Sequence, residues 1–159
     1  MRPWLALALL IGCDAPAATP DPAGTAMIEH VIDGDTVDVV IDGREERVRL
    51  LGVDTPETKV EGGPPECFGP EAASYTAGRL PVGTTVRLER DVVGRDDYGR
   101  LLAYVFRADD GAFINEELAR LGFARPLWIE PNGILRRRIV DAARTAERRG
   151  LGLWAACGG

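Results

Sequence analysis

Between Val31 and Thr58 the chain reads VIDGDTVDVVIDGREERVRLLGVDTPET, which brings Asp33, Asp35, Arg49, Asp54 and Glu57 into strand-like runs and the turns between them. Ala26 to Ile32 and Thr36 to Ile41 are apolar, β-branched runs, and Arg47 to Val53 is a third. Asp-Gly pairs at 33–34 and 42–43 separate them, the signal of tight hairpin turns in which glycine supplies a positive φ at no steric penalty. Turn chemistry accounts for Asp42 and offers a role to Asp33. It does not account for Asp35, which begins a strand, where aspartate is depleted. Asp54-Thr55-Pro56-Glu57 has the form of a helix start, with Asp54 as cap and Glu57 closing a capping box. The Thr-Lys-Val-Glu-Gly-Gly-Pro-Pro that follows cannot continue a helix. Asp35, Asp54 and Glu57 are thus left at strand ends and in a loop without a structural task.

Carboxylates placed in this way suit a hard cation. Ca²⁺ takes oxygen ligands, and a site with two protein carboxylates keeps waters in its shell. Such a water, beside a phosphate, becomes a nucleophile once a carboxylate takes its proton. Guanidinium groups would complete the set, because they donate bidentately to phosphate and stabilise the charge of a five-coordinate phosphorus. Arg49 lies mid-strand before Asp54, and Arg100 follows the turn Asp96-Asp97-Tyr98-Gly99. Each arginine taken alone also reads as a solvated strand charge.

With these residues in view, the chain resembles the staphylococcal nuclease (thermonuclease) family. The match is carried by VIDGDT at 31–36, RLLGVDTPET at 49–58, FGPEA at 68–72, DDYGRLLAY at 96–104, NEELARLGFA at 115–124 and LGLW at 151–154. The resemblance implies Ca²⁺ held by Asp35, Asp54 and the Thr55 carbonyl, with Asp33 supporting these ligands from behind. It implies Glu57 as general base or water-orienting group, and Arg49 and Arg100 as the phosphate clamp. Attack of water on DNA or RNA would then leave 3′-phosphate products. Tyr98 and Trp128 are candidates for stacking on substrate bases; Trp128 falls where the family has a substrate-contacting tyrosine, and a second such position has become Glu130. Packing in the core is an equal reading for Trp128 and the preferred one for Trp154.

The elements that must position these groups follow in chain order. Gly69-Pro70 opens a helix to about Arg79, Thr84 to Arg90 alternates as a strand, and Leu101 to Arg107 is another. Phe113 to Leu121 is a short amphipathic helix stopped by Gly122, and from Asn132 the spacing of Leu135, Ile139, Ala142, Ala143 and Ala146 marks a longer one ended by Gly150. Five strands with three helices predict an α+β fold built on a five-stranded Greek-key barrel of the OB type, whose face binds oligonucleotides, and the resemblance implies the same. At 159 residues, one core suffices.

Residues 1–12, MRPWLALALLIG, have a charged end and an apolar stretch too short to span a bilayer. Leu10-Ile11-Gly12-Cys13 resembles a bacterial lipoprotein signal, which predicts export and a lipid anchor on Cys13 in the cell envelope. An ordinary cleaved signal or a misplaced start are the competing readings. Residues 13–24 then form the anchor cysteine and a Pro/Ala-rich tether, and 25–159 the catalytic domain. With Cys13 set aside, Cys67 and Cys157 form either a disulfide or two buried thiols; the signal favours the bridge, which by loop-closure entropy would stabilise the domain by ~4 kcal/mol. His30 is the only histidine, which argues against zinc, and it reads as a strand residue.

The formal net charge of −6 sits badly with a polyanionic substrate, because long-range attraction is lost. Arg44, Arg47, Arg49, Lys59, Arg95 and Arg100 are the local charges expected to offset it, with Asp96 and Asp97 opposing. The chain reads best as a monomeric, Ca²⁺-dependent nuclease with nucleic acid as its partner and no protein partner indicated. The alternative is a non-catalytic OB-type envelope lipoprotein that binds nucleic acid or another partner.

Overall fold

Period-two alternation puts Ala26 and Ile28 of β1 (Asp21–Val31), Val37 and Val39 of β2 (Thr36–Ile41), and Val48 and Leu50 of β3 (Arg44–Leu50) on one buried side. The computed structural model describes residues 21–158; the expected signal, Cys13 and most of the tether lie outside the described residues. A two-residue strand, β4 (Val53–Asp54), is followed by α1 (Gly69–Arg79), β5 (Thr85–Arg90) and β6 (Leu101–Arg107). The chain then forms α2 (Ile114–Leu121), β7 (Arg125–Pro126), α3 (Arg136–Arg148) and α4 (Leu153–Ala156). Strands in the order β1-β2-β3-β6-β5 close into a barrel, and β4 pairs separately with β7. Within the barrel β3 and β6 run parallel and the other pairs antiparallel. This is the expected α+β, OB-type barrel.

The Asp42-Gly43 turn behaves as its composition predicts. Asp42 has φ 49° and Gly43 φ 76°, the pair of left-handed residues that a two-residue hairpin needs, and they set the β2–β3 register from Thr36↔Arg49 to Ile41↔Arg44. At the other end of α2, Gly122 (φ 78°) ends the helix and Phe123 N–H donates to Leu118 O at 2.9 Å, the pattern of a glycine C-terminal cap.

Four boundaries differ from the sequence reading. Residues 21–24, read as tether, belong to β1, where Asp21 and Pro22 lie opposite Arg90 and Glu89 and the register shifts between Pro22 and Gly24; proline and glycine are tolerated in a strand at such an irregularity. The run Arg47 to Val53 is broken at Gly52, whose φ of +80° turns the chain from β3 into β4. α3 begins at Arg136 rather than Asn132, because the Asn132 side chain clamps Val93: Val93 N–H donates to Oδ1 at 2.7 Å and Nδ2 donates to Val93 O at 3.1 Å. α4 is a fourth helix of four residues, too short to show a period. Within it Leu153 is fully buried, whereas Trp154 is only partly buried with Arg125 5.0 Å from its ring centroid.

Two polar clamps, one buried and one partly buried, join the helical parts to the barrel. Asn115 of α2 accepts from Val105 N–H at 2.9 Å and donates to Leu51 O at 2.8 Å, so the β3–β4 corner is tied to α2. Asp91, at the end of β5, accepts from Tyr104 Oη at 2.7 Å and from the backbone N–H of Gly133, Ile134 and Val92 at 2.7, 2.9 and 2.8 Å. Partial burial opposes ionisation of Asp91, but these four donors outweigh it and hold its carboxyl below the usual carboxylate range. A folded-state pKa below the unfolded one gives stability that is present above the unfolded value, about 3.9, and is lost as pH falls through the folded value. Asp91→Asn is therefore expected to lower the urea midpoint most at pH 7, with the gap to wild type closing below about pH 4; a gap independent of pH would refute this role.

Candidate active site

Two turns carry the acidic residues, and glycine lets them touch. In the turn after β1, Asp33 Oδ1 accepts from Asp35 N–H at 3.1 Å, and Ile32 N–H donates to Thr36 O at 2.9 Å. Gly34 does not have the positive φ that the Asp-Gly pattern predicts. Its role is close approach: a Cβ there would lie 2.7 Å from Thr55 Cγ2 and Oγ1. From the far side, Thr76 of α1 donates its hydroxyl to Gly34 O at 2.7 Å. The turn is thus pressed between α1 and the loop after β4.

Asp35 and Arg49 are both buried at the centre of this contact. Asp35 Oδ2 accepts from Thr55 N–H at 2.7 Å and lies 3.2 Å from Arg49 Nη1, while Oδ1 accepts from the Thr36 hydroxyl at 3.0 Å. Arg49 Nη1 also donates to Leu50 O at 2.9 Å and Val53 O at 2.7 Å, and Nη2 donates to the exposed Asp54 at 2.8 Å. Burial pushes the Asp35 carboxyl up to about 6, against the pull of Arg49 and of the Thr55 N–H. The Thr55 hydroxyl is buried with no hydrogen-bond partner among the described residues.

Glu57 is exposed at the mouth of the cluster. Partial burial of its carboxyl, then the charges of Asp33, Asp54 and Glu66, push it upward, with Arg49 opposing. Its backbone is held twice by a residue that sequence reasoning missed. Glu57 N–H donates to Glu66 Oε2 at 3.0 Å, and Glu66 N–H donates to Glu57 O at 2.9 Å. The adjacent Cys67 is bridged to Cys157, with Cα atoms 5.8 Å apart, so the loop from 57 to 67 is fastened to the C-terminal end. Cysteine counting favours this bridge; no local pattern in the Pro-Pro-Glu-Cys run announces the Glu66 clamp.

Arg100 stands apart from the cluster but on its side of the sheet. Arg49 is paired with Leu102 across the parallel seam, and Arg100, two residues earlier, shares that face. Its Nε donates to Asp96 Oδ2 at 2.7 Å, and its guanidinium sits 5.4 Å from the ring centroid of the exposed Tyr98. Beside them is a groove of about 600 Å³ lined by Asp38, Glu45, Arg47, Tyr98 and Arg100 among others. Trp128 packs on the β3–β4 corner, where a Cβ on Gly52 would be 2.9 Å from its ring, and carries Arg136 on its face at 4.7 Å. Packing is thus its visible role. Glu130 is ion-paired with Arg136, and His30 is an exposed strand residue opposite Asp38.

The local positive charge expected to draw a polyanion is largely neutralised. Arg47 binds Asp38 through two bonds of 2.7 and 2.9 Å, and Arg95 binds Glu46 through two of 3.0 and 2.8 Å. Arg49 and Arg100 are paired as described. Only Arg44 and Lys59 of the six have no carboxylate partner among the described residues.

Steric reasoning at the two-turn contact yields a pair of opposite expectations. Gly34→Ala drives a methyl into the stiff Thr55 side chain and should destabilise by about 1–3 kcal/mol while displacing Thr55 N–H from Asp35. Gly78→Ala, at a helical position with nothing within 4 Å of the new Cβ, should instead stabilise by about 0.5–1 kcal/mol. Urea unfolding of the two variants measures both, and equal effects would show that the Gly34 contact is not tight.

A sequence model described as Staphylococcal nuclease homologue matches residues 47–156. A Thermonuclease of Staphylococcus intermedius is 41% identical over 128 residues, 80% of this chain and 74% of that protein. A Thermonuclease of Staphylococcus hyicus is 39% identical over 130 residues, 82% of this chain and 75% of that protein. Endonuclease YncB of Bacillus subtilis (strain 168) is 38% identical over 139 residues, 82% of this chain and 62% of that protein. Family match, barrel and the two-turn acidic cluster agree, and the chain belongs to the staphylococcal nuclease family.

Proposed function

We propose that this protein is a Ca²⁺-dependent nuclease that hydrolyses phosphodiester bonds of DNA or RNA and leaves 3′-phosphate ends. The observation that carries this reading is the contact of the two acidic turns, in which Asp35, Arg49, Asp54 and Thr55 meet beside Glu57. The donor set fits the metal: two carboxylates and a backbone carbonyl are hard oxygen ligands, and both carboxylates share the one Arg49 guanidinium. Among the described residues no group of three or more His, Cys, Asp or Glu side chains is gathered to hold a metal ion, so the proposed set rests on two carboxylates and a backbone carbonyl, with water completing the shell. Asp35, Asp54 and the Thr55 carbonyl would hold Ca²⁺, which when bound polarises the phosphate and acidifies water.

The remaining chemistry belongs to side chains. Glu57, its backbone fixed by Glu66, takes the proton of the attacking water at a carboxylate oxygen. Among the described residues the Arg100 guanidinium is hydrogen-bonded through Nε alone, which leaves both terminal nitrogens to grip phosphate oxygens as negative charge develops. Arg49 holds Asp35 and Asp54 together, and its Nη2, paired with the exposed Asp54, is the nitrogen placed to turn toward a phosphate oxygen. Tyr98, exposed and with the Arg100 guanidinium over one face of its ring, offers the other face for base stacking, about 1–3 kcal/mol per base. Export with lipidation at Cys13 is part of the same proposal, and the Cys67–Cys157 bridge supports it, because disulfides persist in oxidising compartments.

Release of acid-soluble nucleotide from single-stranded DNA and from RNA by the full chain, with Ca²⁺ or with a chelator, tests the reading. Hydrolysis should require Ca²⁺ and fall by at least ~10²-fold in Glu57→Gln. Arg100→Gln should reduce kcat by ~10²-fold; a change confined to KM would make Arg100 a binding residue only. No release from either polymer by folded, oxidised protein at low salt would sink the proposal.

A further inference from the structure

α3 is out of keeping with the rest of the chain. With the cap residue Arg149 it carries Arg136, Arg137, Arg138, Arg144 and Arg148 against only Asp141 and Glu147, on a chain whose formal net charge is −6. One stripe of the helix, Ile139, Ala142, Ala143 and Ala146, is buried, which leaves the arginines to the outer side. Arg137, Arg144 and Arg148 recur at i, i+7 and i+11. At 3.6 residues per turn they fall in a strip roughly 40° wide and ~16 Å long. The Arg137 side chain is 96% exposed, and its partner Asp141 lies at 3.8 Å. Arg144 and Arg148 are exposed, and among the described residues neither pairs with a carboxylate; Arg148 donates to the Thr145 hydroxyl at 3.2 Å.

Helix electrostatics explains only part of this. Arg148 and Arg149 end the helix, where its dipole favours cations, but Arg136, Arg137 and Arg138 begin it, where the dipole disfavours them, and no acidic residue occupies that first turn. Arg136 is compensated by Glu130 and the Trp128 ring, and Arg138 by Glu116 at 2.7 Å. Arg137 has only the distant Asp141, at 3.8 Å and itself exposed. Around the candidate active site the reverse holds, since Arg47, Arg49, Arg95 and Arg100 are each bonded to a carboxylate. α3 therefore presents a row of exposed arginines, of which Arg144 and Arg148 have no carboxylate partner among the described residues, while the arginines lining the cleft are paired. Beside its first turns lies a groove of about 690 Å³ lined by the apolar Ile134 and Val140 and by Arg136, Arg137 and Arg144, with Asp141 the one carboxylate.

We propose that this face of α3 is a second contact surface for the phosphate backbone of a nucleic-acid strand, outside the candidate active site, an inference that rests on the nuclease reading. Charge complementarity selects the occupant. A row of guanidinium groups on an otherwise acidic molecule matches the repeated phosphates of a polyanion, and Ile134 and Val140 give sugars and bases an apolar rest. Binding there is independent of sequence and driven by counterion release. A long strand is held by α3 while its scissile bond lies in the cleft, so affinity depends on strand length.

Fluorescence anisotropy of a labelled single strand of about 30 nucleotides, titrated with the full chain carrying Glu57→Gln in chelator, measures binding whether or not the protein hydrolyses DNA. Adding Arg137→Gln, Arg144→Gln and Arg148→Gln should weaken low-salt binding by ~10-fold or more. It should also flatten the slope of log affinity against log salt by about two, at roughly 0.7 per phosphate contact on a single strand. The three lysine substitutions should preserve the slope, and Arg137→Gln alone should flatten it by about 0.7. Hydrolysis of a dinucleotide, which cannot fill both surfaces, should be unchanged by the glutamine substitutions in the Glu57 protein. Unchanged affinity and slope in the folded triple variant would overturn the proposal. So would loss of binding to phosphatidylglycerol vesicles with oligonucleotide binding intact, which would make an anionic lipid surface the occupant. A flattened slope in a protein that releases no nucleotide would overturn the nuclease reading and leave this surface standing.

Discussion

The guanidinium of Arg49 is the group on which the site and its surroundings depend. It is buried, it stands between Asp35 and Asp54, and it also takes the carbonyls of Leu50 and Val53. Two carboxylates from different turns and the backbone corner between β3 and β4 thus share one cation. A planar fork with five donors hydrogen-bonds three of these acceptors and ion-pairs with Asp35 at the same time; a lysine ammonium has three donors from a single point. A buried ion cluster of this kind is weak evidence for stability, since desolvation offsets much of the attraction. What it secures is geometry: Asp35, buried against Thr55, cannot leave without stranding a charge, and the half-exposed Asp54 is held at the corner by the same guanidinium.

The rest of the fold can be understood as the means of delivering these acceptors to Arg49. The parallel β3–β6 seam sets Arg49 beside Leu102 and so places Arg100 on the same face. Asn115 ties Leu51 O to α2, which fixes the corner from behind, and Thr76 holds Gly34 O from α1. Glu66 and the Cys67–Cys157 bridge do the same for the backbone of Glu57. Each of these ties joins residues far apart in sequence, so a loop that looks irregular by itself is held at several points.

Local signals made much of this legible. The Asp42-Gly43 hairpin, the Gly69-Pro70 helix start and the Gly122 stop depend on dihedral preferences of single residues, and the structure has all three. Asp35, Asp54 and Glu57 stood out because strand and helix chemistry left them unexplained. The misses share a cause. Gly34 is needed for a contact with Thr55, 21 residues away in sequence, rather than for its own φ. Asn132 looks like a helix start until its side chain meets Val93, and Pro22 and Gly24 look like tether until β5 pairs with them. A partner from another part of the chain decides each case, and no window of sequence contains it.

Charge shows the same limit most clearly. A net charge of −6 says nothing about where positive charge is free, and the positive residues around Arg100 look available until Asp38, Glu46 and Asp96 are seen to hold them. These pairs order the cleft but weaken its long-range field, because a guanidinium beside a carboxylate is close to neutral a Debye length away. Attraction at a distance then falls to whatever arginines lack such partners, and grip at close range falls to donors that can exchange a carboxylate for a phosphate. In an acidic protein these two tasks need not share a surface. On the proposed reading, separating them would let the cleft keep its carboxylates for a cation while α3, free of that requirement, carries arginines such as Arg144 and Arg148 that have no carboxylate partner among the described residues.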